Sequence, residues 1–221
     1  MSVTPRFVRA RRNPTLFCAV VLLACISLRV VAAVEVPSVL AIDPANSRVA
    51  IDVGRTGLFG FAGHNHEVIA PVIEGKVIYN PADWQRSTVS LRFDASALKV
   101  TGKGDPPSDI PKVQQAMLSA EVLDVKRFPD VTFASRRVSA TRAATGAIDL
   151  LIEGDMTVHG QTRPMSVRVN AAIDPDGLTV RGGFPLKQTD FGIEPVTVAG
   201  GTVRVKDEVQ VQFVLKARRV S

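Results

Sequence analysis

Apolar and polar side chains alternate with a period of two along most of this chain, and this alternation restricts the folds that it can adopt. In "RVAIDV" (48–53) and "STVSLRFD" (87–94), every second residue is a large apolar one. The pattern returns in "VTFASRRV", "AIDLLIEGDMTVHG", "MSVRVNAAI", "GLTVRGGF", "TVRV" and "EVQVQFVLKA", and turn signals such as "DPDG" (174–177) and Gly200-Gly201 separate the runs. Because successive side chains of a strand point to opposite faces, each run predicts a half-buried strand. Regularly spaced strands of this kind predict an all-β fold, an antiparallel sandwich or barrel.

One segment, "SDIPKVQQAMLSAEVLDV" (108–125), has a different period. Asp109 precedes Pro111 in a first helical turn, and Val113, Met117 and Val122 recur at helical spacing. We therefore expect one short helix near 111–123.

The N-terminus has the three parts of a secretory signal peptide. Four arginines precede the apolar run 16–28, and the small residues of "VAA" (31–33) follow it. This run is shorter than the roughly 20 residues that span a bilayer. We therefore predict a signal peptide over residues 1–33, one domain over 34–221 with no membrane span, and a periplasmic location. A rival interpretation is that "LLAC" (22–25) is a lipobox with Cys25 as the acylated residue; an uncleaved anchor is a third.

Charge and cysteine content exclude several classes of function. The first 33 residues hold five arginines and no acid, so the remainder carries 22 basic and 21 acidic residues. A nearly neutral domain gives no reason to expect nucleic acid as a partner. Both cysteines, Cys18 and Cys25, lie in the predicted leader, so cleavage removes all thiol chemistry. Nothing in the sequence calls for a cofactor.

Several motifs in the second half of the chain resemble those of a known family. "FPDVTFAS" (128–135) and "GDMTVHGQTRPMSVRV" (154–169), together with "TDFGI" (189–193) and "DEVQVQFVLKA" (207–217), are similar to signatures of the YceI-like proteins. The resemblance extends over about 42–219. It implies a secreted, lipocalin-like antiparallel barrel of about eight strands, associated with binding of polyisoprenoid lipids. Two segments differ from the common family pattern, namely "GHNHEV" (63–68) and "SDIPKVQQAML" (108–118), which lacks an Arg-Asp-x-His-Leu motif.

An eight-stranded barrel leaves an interior wide enough for one small or elongated ligand. The ligand is expected to be an isoprenoid-type lipid, and the strand alternation supplies candidates for the wall: Val89, Leu91, Phe93, Phe133, Met156, Val158, Phe184, Val211 and Phe213. The simpler alternative is that these side chains fill a dry core.

Two of the three histidines, His64 and His66, follow a glycine-rich stretch. On an extended segment both project from one face, and Glu67 points the other way. We expect the pair to lie at the mouth of the barrel and to contact the polar end of the ligand. Phe59 and Phe61 of the preceding "GLFGFAG" (57–63) could then cover its apolar chain.

A metal site is the alternative interpretation of the histidine pair, and with it a periplasmic metal- or haem-related binding module. Zinc requires three or four ligands, and the only further histidine is His159, which could instead stabilise its own turn by hydrogen bonding. No nucleophile elbow, phosphate-binding loop or carboxylate pair is present in the sequence. We therefore do not expect an enzyme.

Overall fold

The computed structural model describes residues 36–56, 65–103, 106–144, 147–175, 177–198 and 203–220. These belong to one compact unit, Val34–Ser221. The secondary structure of the described residues consists of short 3-10 turns and the following elements: β1 (Ser38–Ile42), β2 (Arg48–Val53), β3 (Arg55–Thr56), β4 (His66–Ile69), β5 (Val72–Tyr79), β6 (Thr88–Asp94), β7 (Lys99–Val100), α1 (Ile110–Leu118), β8 (Asp130–Ala144), β9 (Ala147–Val158), β10 (Gln161–Asp174), β11 (Gly177–Lys187), β12 (Thr197–Val198), β13 (Val203–Val205) and β14 (Glu208–Arg219).

Eight of these strands close into an antiparallel barrel. They pair in the order β1-β5-β6-β8-β9-β10-β11-β14, and β14 then pairs with β1 to complete the circle. Strands β2, β4 and β7 continue the wall, since β2 also pairs with β14 and carries β4 and β7 beyond it. The short strands β12, β13 and β3 form a separate small sheet. The predicted all-β fold with about eight barrel strands and one helix is confirmed.

The two ends of the barrel carry different connections between the strands. The end that we call the terminal end carries the start of β1, the end of β14 and the connections β5–β6 and β10–β11. The opposite end, the helix end, carries the β9–β10 turn, the connection from β6 to β8 with α1, and the β11–β14 connection. Strand β3 ends and β4 begins at the helix end, and residues 57–64 between them lie outside the described part of the chain.

The helix α1 lies against the short edge strand β7 through one glutamine. Gln114 Nε2 donates to Leu98 O at 2.8 Å, and Gln114 Oε1 accepts from Val100 N at 2.9 Å. This side chain satisfies backbone groups that an edge strand would otherwise leave open. The helix ends at Leu118, earlier than predicted, because Ser119 Oγ donates to Ala116 O at 2.8 Å and the chain then turns. None of the helices in the described ranges is long and apolar enough to span a membrane.

Candidate functional site

The interior of the barrel contains an apolar cavity of about 270 Å³. A single buried water needs roughly 10–15 Å³ on this scale, so the space exceeds a packing defect by an order of magnitude. None of the described residues that line it is Asp, Glu, Lys, Arg or His. Water in such a space would lack hydrogen-bond partners, so the cavity favours an apolar occupant.

The strand alternation determines which side chains reach this cavity. Along β14, the buried Val209 and Val211 alternate with the exposed Gln210 and Gln212. The cavity lining includes all nine residues that the sequence suggested for the wall: Val89, Leu91, Phe93, Phe133, Met156, Val158, Phe184, Val211 and Phe213. Their contact with a ligand stays a prediction. Phe59, Phe61 and His64 lie outside the described residues.

Aromatic rings in the cavity wall lie over glycines of the neighbouring strand. A Cβ atom at Gly182 would lie 2.7 Å from Phe213 Cζ, and one at Gly154 would lie 2.8 Å from Phe133 Cζ. The missing Cβ atoms let these rings lie close against the sheet. The rings of Phe213 and Phe184 are 6.4 Å apart and tilted by 57°, a favourable arrangement for an aromatic pair.

Few polar side chains border the cavity, and two of them form hydrogen bonds with the backbone. Gln188 Nε2 donates to Lys206 O at 2.8 Å at the helix end. At the terminal end, Ser87 Oγ accepts from Asn80 N at 3.0 Å. Close to Ser87, the rings of Tyr79 and Trp84 lie 5.1 Å apart and line the cavity. These two aromatic residues were not among the candidates from the sequence.

Gln188 is positioned by a connection that a carboxylate holds in place. Asp207 accepts hydrogen bonds from Thr189 N at 2.9 Å and from Thr189 Oγ1 at 2.8 Å. The hydrogen bond from the Thr189 backbone is the main reason that the pKa of Asp207 lies below its usual range. Gln188 N donates to Asp207 O at 3.0 Å. The backbone at Gln188 is therefore held to Asp207 directly, in addition to the bonds from Thr189 to the Asp207 carboxylate.

His66 is buried at the helix end, with 6% of its surface exposed. It pairs with Val53 across β2 and β4, and its Nε2 contacts Arg55 Nη2. A guanidinium has donors only, so in this contact the imidazole nitrogen is the acceptor. Both Val53 and Val68 line the cavity, whereas His66 itself does not. Glu67 points to the outer face and binds Arg48 at 3.1 Å.

His159 has a structural position in the turn between β9 and β10. Its φ of 50° lies in the left-handed region. Its ring contacts Phe128 edge-on, with centroids 4.6 Å apart, and its Nδ1 forms a hydrogen bond with Phe191 O at 3.2 Å. No group of three or more histidine, cysteine, aspartate or glutamate side chains in the described ranges is arranged to hold a metal ion.

Comparisons with known proteins agree with this architecture. The chain is 30% identical over 150 residues to a UPF0312 protein of Vibrio cholerae, an alignment that covers 65% of this chain and 71% of that protein. A UPF0312 protein of Pseudomonas putida is 37% identical over 83 residues, which cover 34% of this chain and 41% of that protein.

Solved structures with the same fold include BcnA of Burkholderia cenocepacia, with a TM-score of 0.62 and 19% identity over 79% of this chain and 98% of that chain. The YceI protein of Campylobacter jejuni has a TM-score of 0.50 and 12% identity over 69% of this chain and 85% of that chain. The family model described as "YceI-like domain" matches residues 40–217 of this chain. The chain therefore belongs to the YceI-like family, whose barrel is a binding-protein fold.

Proposed function

We propose that this protein is an exported carrier that holds one elongated apolar ligand, of the polyisoprenoid or isoprenoid-quinone type, inside its barrel. The single observation that carries the proposal is the cavity of about 270 Å³ with no charged side chain among its described lining residues. Its size is close to the lower bound of about 300 Å³ for small-molecule pockets. The lining extends from Met117 at the helix end to Trp84 at the terminal end, which suits a long chain better than a compact molecule.

The composition of the wall also supports binding rather than catalysis. A reaction requires a nucleophile, a general base or a bound metal close to the substrate. Ser87 and Gln188, two of the polar side chains that border this cavity, form hydrogen bonds with the backbone. We therefore propose a function without a chemical step and without a cofactor.

Lipid extraction tests the proposed function directly. We expect protein purified from its native compartment to release one class of isoprenoid lipid in an organic extract, at about one molecule per chain, as measured by mass spectrometry. N-terminal sequencing of the same material should begin at Val34, as expected after cleavage of residues 1–33 and export to the periplasm. A chain that carries no lipid and takes up none contradicts the carrier function. An acylated Cys25 contradicts the cleavage site.

The polar end of the ligand is proposed to lie at the helix end, beside the contact between His66 and Arg55. In this contact two polar side chains lie next to Val53 and Val68, which line the cavity. Replacing His64 and His66 with Ala should lower the amount of retained lipid about fivefold to tenfold, which corresponds to the loss of about one hydrogen bond. His159→Asn is the matched control, because Asn tolerates a positive φ and His159 bonds to Phe191 instead.

Metal analysis of the same variants separates the alternative function. If the wild-type protein contains stoichiometric zinc or copper that the His64/His66 double variant loses together with its thermal stability, the pair is a metal site. In the proposed function, the metal content is negligible in both proteins. Some loss of stability in the double variant is expected in either case, because His66 is buried against Arg55.

A further inference from the structure

The terminal end of the barrel exposes a cluster of apolar side chains. Val39, Ile173 and Val220 are 44%, 42% and 62% exposed. Val220 N donates to Val39 O at 3.4 Å, which places the end of the chain beside β1. Ile173 lines a shallow surface pocket together with Leu40 and Arg219, and Arg219 pairs with Leu40 across β1 and β14. Of the three exposed residues, Ile173 lines this pocket, which we call the rim pocket, and Val39 and Val220 are the chain neighbours of its lining residues Leu40 and Arg219.

The rim pocket is adjacent to the ligand cavity. Tyr79 and Leu178 line both the rim pocket and the cavity. These two side chains are therefore shared by the interior of the barrel and the rim pocket, which the exposed Ile173 also lines. This continuity connects the surface feature with the space in which the proposed ligand lies.

Basic side chains lie along the part of this rim that β1, β5 and β14 form. Arg219 lines the rim pocket itself. On the outer wall just below it, Lys76 and Arg218 both pair with Ala41 of β1, one from each side, and Lys216 lies two residues before Arg218. Asp43 offsets one of these charges through an ion pair with Arg218 at 2.8 Å. Within the described side chains, this part of the rim is therefore positively charged.

Exposed apolar side chains flanked by basic ones are features that bind the surface of an anionic bilayer. The apolar groups enter the boundary between headgroups and acyl chains, and lysine and arginine are attracted to the anionic headgroups. A protein partner would bury the apolar cluster equally well, but it would not explain why the cluster adjoins an apolar ligand cavity. A bilayer explains both, because it is the source of an apolar ligand.

We propose that the terminal end is a docking surface for an anionic membrane. Docking there places the bilayer against Tyr79 and Leu178, opposite the contact between His66 and Arg55, so the apolar tail of the ligand lies nearest the membrane. The choice of a membrane as the partner rests on the proposed function. The exposure of the apolar cluster and the basic charge beside it are observations that do not depend on the proposed function.

Vesicle flotation tests the docking surface. The exported protein should float with vesicles of equal parts phosphatidylcholine and phosphatidylglycerol, less with phosphatidylcholine alone, and less again as salt is raised. The double variant Val39→Asp/Ile173→Asp should reduce the bound fraction at least about fivefold, because it removes apolar contacts and adds repelling charge. Ile73→Asp is the matched control. Ile73 is 44% exposed, as Val39 is, but it lies near the start of β5, at the helix end of the barrel.

Three results would overturn the docking surface: no flotation of the wild-type protein, unchanged flotation of the double variant, or an equal loss with Ile73→Asp. A dimer in sedimentation that Val39→Asp/Ile173→Asp dissociates would show that a second copy of the chain covers the cluster instead. Extraction of the same preparations separates this inference from the proposed function. Retained lipid without flotation overturns the docking surface alone, and flotation by a chain that neither carries nor takes up lipid overturns the carrier function.

Discussion

Replacing Phe213 with Asp should remove the ligand from the barrel, lowering the retained lipid at least about tenfold, and should reduce the free energy of unfolding by about 3–5 kcal/mol. Phe213 lies in β14, lines the cavity and packs against Phe184. The new carboxylate would face a wall whose described residues include no lysine, arginine or histidine. It would have to enter the cavity unpaired or force solvent into it, and either outcome excludes an apolar chain.

The neighbouring residue provides the control for this substitution. Gln212 is exposed on the outer face of β14, so Gln212→Asp should change the free energy of unfolding by no more than about 0.5 kcal/mol. Urea unfolding measures the stability of both variants, and mass spectrometry of the extract measures the lipid. Phe133→Asp repeats the experiment from β8. Wild-type stability together with full lipid retention in both Phe variants would show that these rings do not face the ligand.

The strands were predictable because period-two alternation depends on one physical fact, namely which face of a strand is buried. The run "EVQVQFVLKA" became part of β14, and "AIDLLIEGDMTV" (147–158) became β9. Closure into a barrel was different. It depends on β14 reaching β1 across most of the chain, and alternation is the same in a sandwich and a barrel. The family resemblance, not the pattern, distinguished the two.

The end of the helix was less predictable than its start. Val122 continues the helical spacing of Met117, yet the helix ends at Leu118 because the Ser119 side chain bonds back to Ala116 O. Val122 and Met117 both line the cavity all the same. The apolar spacing thus identified residues that face the interior, although a turn and not a helix presents the second one.

The contact between His66 and Arg55 could have been found by considering the strands as a hairpin. Val53 pairs with His66 and Ile51 with Val68, so the pairing is symmetric about the glycine-rich stretch. Arg55 lies two residues beyond Val53, so this pairing places it near His66. Tyr79 and Trp84 were missed for another reason. They lie at the end of β5 and in the turn after it, where alternation gives no information about direction.

Replacing Gly154 with Ala, which adds a single methyl group, should have the second large effect on the stability of the fold. Gly154 lies in β9, opposite Ser135 of β8, beside a register shift between Ser135 and Arg137. A Cβ atom there would lie 2.4 Å from Ala134 O and 2.8 Å from Phe133 Cζ. The ring could move into the cavity, but the backbone oxygen could move only if the pairing of β8 with β9 shifted. Gly154→Ala should therefore cost about 3 kcal/mol, which lowers Tm by about 6–12 °C in a domain of this size.

A glycine with a flexible neighbour separates this contact from the general effect of adding a methyl group to the backbone. At Gly54 the nearest atom to a new Cβ is Lys206 Cδ at 2.9 Å, on a long exposed side chain that can move away. Gly54→Ala should therefore change Tm by no more than about 3 °C. Because displacement of the Phe133 ring would also narrow the cavity, Gly154→Ala should lose retained lipid at temperatures where it is still folded, and Gly54→Ala should not. Equal melting temperatures for the two variants would show that β8 and β9 can separate at Gly154 without cost, and that the ring of Phe133 is not held against the sheet.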